Sequence, residues 1–168
     1  MIDIGGPALI RAAAKNHEFV TVICDPKDYA RVAKSIENDG GTDLSLRLEL
    51  AAKCFARTAA YDGAIANWMA ARLGVDLPSI TSNSGHKTIN LRYGENPHQS
   101  AALYKESHSL PSNIVSAKQL QGKELSFNNY IDLNAAWELV RELGSGAVVI
   151  IKHTNPCGVA VGEDQLKT

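Results

Sequence analysis

The sequence predicts an α/β protein, on two kinds of observation: short apolar runs that read as buried strands alternate with stretches of helical periodicity, and Gly or Pro marks most of the joins. Ile2 to Ile4 reads as the tail of a strand, Gly5 and Gly6 as a tight turn, and Pro7 as the first position of a helix through Lys15. Phe19 to Cys24 is a β-branched run typical of a buried strand. It ends at Asp25-Pro26-Lys27-Asp28, where Asp25 can cap and Pro26 can open a second helix whose apolar face is Tyr29, Val32, Ala33 and Ile36. A third helix starts near Thr42 and Asp43, with Leu44, Leu48, Ala51, Phe55 and Thr58 on one stripe, and continues through Trp68 and Met69 to Leu73.

Gly74 stops this helix, and Val75 to Asn90 loses periodicity, mixing Pro78, Gly85 and several Ser or Thr residues. The chain is therefore expected to divide into residues 1–75, a linker at 76–90, and residues 91–168. In the last piece, Ala101 to Tyr104 and Ile114 to Val115 read as short strands. Ile131 to Leu143 reads as a helix with Leu133, Ala136, Trp137 and Val140 inward, and Ala147 to Ile151 as a buried strand.

Composition narrows the function classes. Lys plus Arg total 17 against 18 for Asp plus Glu, a balance that leaves no electrostatic footprint for nucleic acid or an anionic membrane. Any anion site must be local. Cys24, Cys54 and Cys157 are scattered and lack paired spacing, which points away from a disulfide framework or zinc cluster and towards a reducing cytoplasm. Neither a secretory signal nor an apolar stretch of membrane-spanning length is present in the 168 residues.

Two motifs carry the chemistry. Lys152 and His153 sit where an apolar strand ends, which in open α/β sheets is where ligands bind. The bland reading is surface termination. Asn155-Pro156-Cys157-Gly158 is expected to turn tightly just beyond the pair and so preorganise it. An imidazole with a pKa near 6.5 suits a base, and an ammonium near 10.4 suits a charge stabiliser. In Arg92-Tyr93-Gly94-Glu95-Asn96-Pro97-His98-Gln99, Arg92 offers a fork for phosphate or carboxylate, and the Asn96-Pro97-His98 turn can present His98 to the same site. The bland alternative pairs Arg92 with Glu95. Gly5-Gly6-Pro7 before a helix is a weak anion cradle, and Lys15 with His17 reads as charge complementing a helix C-terminus. Cys157 is neither a supported nucleophile nor a zinc ligand of the deaminase pattern: no His-x-Glu occurs, and Ala160 stands where the second cysteine would be. No metal is expected.

Taken in order, Ile2-Asp3-Ile4-Gly5-Gly6-Pro7, Ala12-Ala13-Ala14-Lys15-Asn16-His17, Thr58-Ala59-Ala60-Tyr61-Asp62, the motif from Leu91 to Gln99, Gln119-Leu120-Gln121-Gly122-Lys123 and Lys152-His153-Thr154-Asn155-Pro156-Cys157-Gly158 resemble one family. It is the bifunctional enzyme of purine synthesis that combines AICAR transformylase with IMP cyclohydrolase. The resemblance implies that residues 1–75 close a parallel-sheet cyclohydrolase domain of the methylglyoxal synthase type, and that 91–168 open a transformylase domain similar to the cytidine deaminase fold without zinc.

The implied reactions are formyl transfer from 10-formyltetrahydrofolate, as cosubstrate, to AICAR giving FAICAR, then loss of water to close the ring as IMP. By the resemblance, Arg92 and Tyr93 bind AICAR with His98 and Asn129 nearby. His153 accepts the amine proton, and Lys152 stabilises the transition state. Asp3 and Ile4 contact the nucleotide of the cyclohydrolase half, and Lys15 is its proton donor and acceptor, a role that needs a lowered pKa. A cytoplasmic homodimer, binding neither nucleic acid nor membrane, is implied. Family members extend beyond both ends of these residues, so the expectation is a fragment or truncated product. The alternative function is a catalytically incomplete nucleotide-binding or assembly fragment.

Overall fold

Alanine-rich sequence and an aspartate-capped leucine repeat build the first half of the molecule. The computed structural model describes residues 1–106 and 112–164. Residues 107–111 and 165–168, all within the expected last piece, lie outside the described residues. The chain forms two compact units, residues 1–84 and 85–168.

In the first unit, α1 spans Gly5–Lys15, α2 Tyr29–Asp39 and α3 Leu44–Arg72. Gly5 and Gly6 form the first turn of α1 and not the separate turn expected before it. Asp25 caps a 3₁₀ turn at Pro26–Asp28 by accepting the Lys27 N–H at 3.0 Å, and α2 follows directly. Gly40, at φ 72°, ends α2 in the left-handed conformation that glycine enters without a Cβ penalty. Asp43 caps α3 by accepting the Leu46 N–H at 2.7 Å.

The inward face of α3 differs from expectation. Leu46, Leu50, Ala51, Cys54 and Thr58 are buried, whereas Leu44 and Leu48 are each 53% exposed. Four leucines at alternate positions offer two candidate stripes, and hydrogen bonding settles which one turns inward. Arg47 donates from Nε to the His17 carbonyl at 2.9 Å, from Nη2 to the Glu18 carbonyl at 2.9 Å, and from Nη1 to the Thr42 carbonyl. These bonds fix the rotation of the first turn. In α2 only Val32 of the expected face is buried, and Tyr29 and Ile36 remain exposed.

Neither Ile2 to Ile4 nor Phe19 to Cys24 is a strand. Val22 is buried against Ala14, Ala51 and Cys54, so the apolar run at 19–24 serves the core through its side chains. Its backbone has no ladder partner among the described residues. The parallel sheet expected within residues 1–75 is accordingly not formed among them: both sheets present are two-stranded and antiparallel.

In the second unit, β1 (Gly85–Asn90) pairs with β2 (Ala102–Glu106). β1 thus lies inside the stretch read as a linker. Ile114–Ser116 is a 3₁₀ turn and not a strand, because the Asn113 side chain accepts the Ser116 N–H at 3.0 Å and curls the chain. Helix α4 covers Phe127–Leu143, and β3 (Ala147–Lys152) pairs with β4 (Asn155–Val161). Along β3 the residues alternate between half-buried and exposed, with Ala147, Val149 and Ile151 on the more covered face and α4 packed against the strand. Beyond their mutual ladder, β3 and β4 have no strand neighbour among the described residues.

Candidate functional site

In the second unit Arg92, Tyr93 and Asn129 meet at the start of α4. The backbone of Arg92 and Tyr93 clasps the chain before this helix: the Arg92 N–H donates to the Leu125 carbonyl at 3.1 Å, and the Phe127 N–H donates to the Tyr93 carbonyl at 3.2 Å. Gly94 lets the chain double back, since a Cβ there would lie 2.8 Å from that of Gln99. The Gln99 N–H closes a turn on the Asn96 carbonyl at 3.0 Å, which leaves His98 exposed at its tip. Asn128 ties this loop to α4 by donating to the Glu95 carbonyl at 3.1 Å.

The Arg92 guanidinium stacks 4.8 Å from the centre of the Tyr93 ring and donates from Nη2 to the phenol oxygen at 3.2 Å. It makes no ion pair with Glu95. A hydrogen bond with Ser126, followed by the Arg92 cation, holds the Tyr93 phenol below its usual pKa, because both favour the phenolate. Ser126 is 1% exposed and caps α4 in a capping box. Asn129 completes the box, its Oδ1 accepting the Ser126 N–H at 3.0 Å. Its Nδ2 bonds to no described residue.

Three residues further along α4, and so on the same side of the helix, Asp132 accepts the Thr154 N–H at 2.8 Å. This bond reaches the tip of the β3–β4 hairpin. The tight turn lies at His153-Thr154 and not at Asn155 to Gly158, which belong to β4. Pro156, which has no N–H to give, is accommodated where the ladder shifts register opposite Ile150 and Ile151. His153 and Thr154 have φ of 52° and 64°, the left-handed signs of a two-residue hairpin turn. Histidine visits this region occasionally, but a β-branched threonine there is a genuine outlier, with a cost of order 1–3 kcal/mol. A hydrogen bond to a carboxylate, worth about 1.5–3 kcal/mol, is of the right size to offset it.

A cavity of about 430 Å³ opens beside α4, with Lys123, Leu125, Asn129, Asp132 and Ile151 in its wall. Asn129 is the one expected site residue that lines it. Lys152 follows Ile151 on the strand, so alternation turns it to the other sheet face, and both Lys152 and His153 are exposed. Cys157 is exposed too, with its thiol 3.4 Å from the Ile150 carbonyl.

The first unit holds a second cavity, of about 340 Å³, lined by Asp3, Gly6, Pro7, Arg57, Thr58 and Tyr61 among others. The Asp3 N–H donates to the Tyr61 phenol at 2.7 Å. A Cβ on Gly6 would stand 2.5 Å from an Asp3 carboxylate oxygen, so a side chain there would have to turn the Asp3 carboxylate aside. Ile4 is 72% exposed. Lys15 is exposed at the far end of α1, about 15 Å of helical rise from Gly5, and does not line the cavity. Arg57, Thr58 and Tyr61 escaped the sequence reading as site residues. Their signal was helical spacing, which sets 57 and 61 one turn apart on α3 beside Thr58.

The family described as AICARFT/IMPCHase bienzyme matches residues 13–168. The chain belongs to that family. Relatives named bifunctional purine biosynthesis protein PurH include one from Rhodospirillum rubrum, 56% identical over 96% of this chain and 31% of its own length. One from Caulobacter vibrioides is 54% identical over 98% and 31%, and one from Magnetococcus marinus 53% identical over 98% and 32%. The chain thus spans about a third of the length of these curated relatives. In this AICARFT/IMPCHase chain, then, α4 joins the Arg92–Tyr93 cluster to the His153 tip, while Asp3 stands apart from Lys15.

Proposed function

We propose that the chain carries residues of a cytoplasmic, homodimeric enzyme that transfers a formyl group from 10-formyltetrahydrofolate to AICAR and closes FAICAR to IMP. Family membership supports the reaction class. The single observation that carries the site assignment is the attachment of both the Arg92–Tyr93 clasp and the His153 tip to the first turns of α4. On this reading the two units derive from a methylglyoxal synthase-like and a cytidine deaminase-like domain.

The chemistry follows from the groups. The 5-amino group of AICAR is a weak nucleophile, since the electron-poor imidazole draws on its lone pair. His153 removes its proton as it attacks the formyl carbon, and Lys152 stabilises the tetrahedral oxyanion that forms. Arg92 binds the anionic or carbonyl groups of the nucleotide through its fork, and Tyr93 supplies a phenol shifted towards the phenolate. Asn129 Nδ2 and His98 complete recognition. For ring closure, Asp3 and Ile4 hold the nucleotide, and Lys15 exchanges the proton as water leaves.

Two observations favour a second reading. Lys15 does not line the Asp3 cavity, and Lys152 lies across the sheet from the cavity lined by Asn129. A chain that binds nucleotide but lacks an assembled reaction centre fits these positions. Calorimetric titration of AICAR into the 168-residue chain, run beside a formyl-transfer assay, separates the two. Binding with turnover supports the enzyme, binding alone supports the second reading, and absence of both removes the nucleotide assignment.

A further inference from the structure

We propose that Asp132 is the positioning residue for His153, holding the hairpin tip so that the imidazole projects from a fixed backbone; its catalytic meaning rests on the formyl-transfer reading above. The tip does not fix itself. Within it, the His153 carbonyl accepts from Thr154 Oγ1 at 2.6 Å and from Asn155 Nδ2 at 2.8 Å, but these bonds move with the hairpin. Among the described residues, the Thr154 N–H to Asp132 Oδ1 bond is the one hydrogen bond that ties the tip to anything outside the hairpin.

Sequence supplies no conformational help, because neither residue of the turn is glycine and Thr154 is β-branched at φ 64°. The tie must therefore come from a rigid element. Asp132 stands inside α4, one turn from the cap residue Asn129, and is half-buried in the wall of the same cavity. A carboxylate that accepts a backbone N–H makes a charge-assisted bond of the stronger kind. The helix thereby acts as a ruler, with Tyr93 and Asn129 gathered at its cap and the imidazole set at the next turn.

The test uses the isotopically labelled 168-residue chain and two measurements, amide hydrogen exchange and the response to AICAR. In the unaltered chain, the Thr154 amide should exchange more slowly than an unbonded turn amide, and exchange at the unprotected rate overturns the bond. In Asp132→Ala, exchange of the Thr154 amide should quicken by about 10- to 100-fold while the α4 amides keep their protection. In Asp132→Asn, whose amide oxygen accepts the same bond but cannot serve as a base, most of that protection should return. Unchanged exchange in the alanine variant, or no recovery in the asparagine variant, refutes the positioning role.

With AICAR added, the His153 ring resonance should shift in the unaltered and Asp132→Asn chains and respond at least about 10-fold more weakly in Asp132→Ala. An equal response in all three overturns the functional part of the proposal. If the unaltered chain gives no AICAR response, the nucleotide reading falls, while the exchange data still decide the tie.

Discussion

Thr154 shows how one residue's backbone can reveal more than its neighbours' side chains. A threonine held at positive φ directly after the candidate base marks the tip as constrained, and the constraint belongs to its fit against α4. In a protein of the relatives' length, His153→Ala should lower kcat for AICAR formylation by about 10²- to 10⁴-fold, and Lys152→Ala by about 10²- to 10³-fold. A loss under about threefold in both would remove them from the chemistry. The strand-end position of this pair was legible because an apolar run stops at Lys152. The turn was not, since Asn-Pro-Cys-Gly has turn composition and only its pairing with β3 makes it a strand. The contacts of Asp132 and Tyr61 were not legible for another reason: each acts through a partner more than twenty residues away, at Thr154 and Asp3.

Among the elements, α3 gives the sharpest test of packing. Leu50 is 1% exposed, so Leu50→Ala should cost about 2–5 kcal/mol in denaturant unfolding, whereas Leu48→Ala, at a half-exposed position, should change stability by no more than about 0.5 kcal/mol. Equal costs would mean that the other leucine stripe faces inward. Gly40→Ala isolates a backbone effect, since no atom lies within 4 Å of the added Cβ and only φ 72° opposes it. The expected loss is about 1 kcal/mol, read from the same unfolding curve. Helix positions and caps were largely readable from local signals such as Asp25, Asp43 and Pro26. Phe19 to Cys24 was misread because β-branched composition reports burial, while a strand also needs a neighbour's backbone.

At the scale of the molecule, the two units differ in how much they bury. Every fully buried hydrophobic side chain among the described residues lies in the first unit, on α1, α2, α3 and the 20–24 segment. Amides of α3 should therefore exchange more slowly than those of β3 and β4, and the reverse order would refute this distribution of stability. Within the first unit, α2 and α3 are joined by Arg31 and Glu49, paired at 2.6 Å. The hydrogen bond from Arg31 holds the Glu49 carboxyl down at about 2, from an ordinary 4.5. A lowered carboxylate pKa stabilises the fold above the unfolded value, and this support is lost as pH falls from about 4.5 through about 2. The first unit should weaken over that range, less so in Glu49→Gln, and added salt should shrink the difference because the pair is exposed. No helix here is long and apolar enough to cross a membrane, among the described residues.

The hairpin bearing His153 is a ribbon of two strands, and a ribbon has two rims. Outward along each rim run backbone amides and carbonyls that no neighbouring strand takes up among the described residues, next to the exposed side chains of Val148, Ile150, Val159 and Val161. A segment zipped onto either rim would lengthen the sheet sideways and dampen its bending, yet leave the tip open to solvent. Recruitment there would stiffen the backbone beneath His153 while the turn at its end stays uncovered.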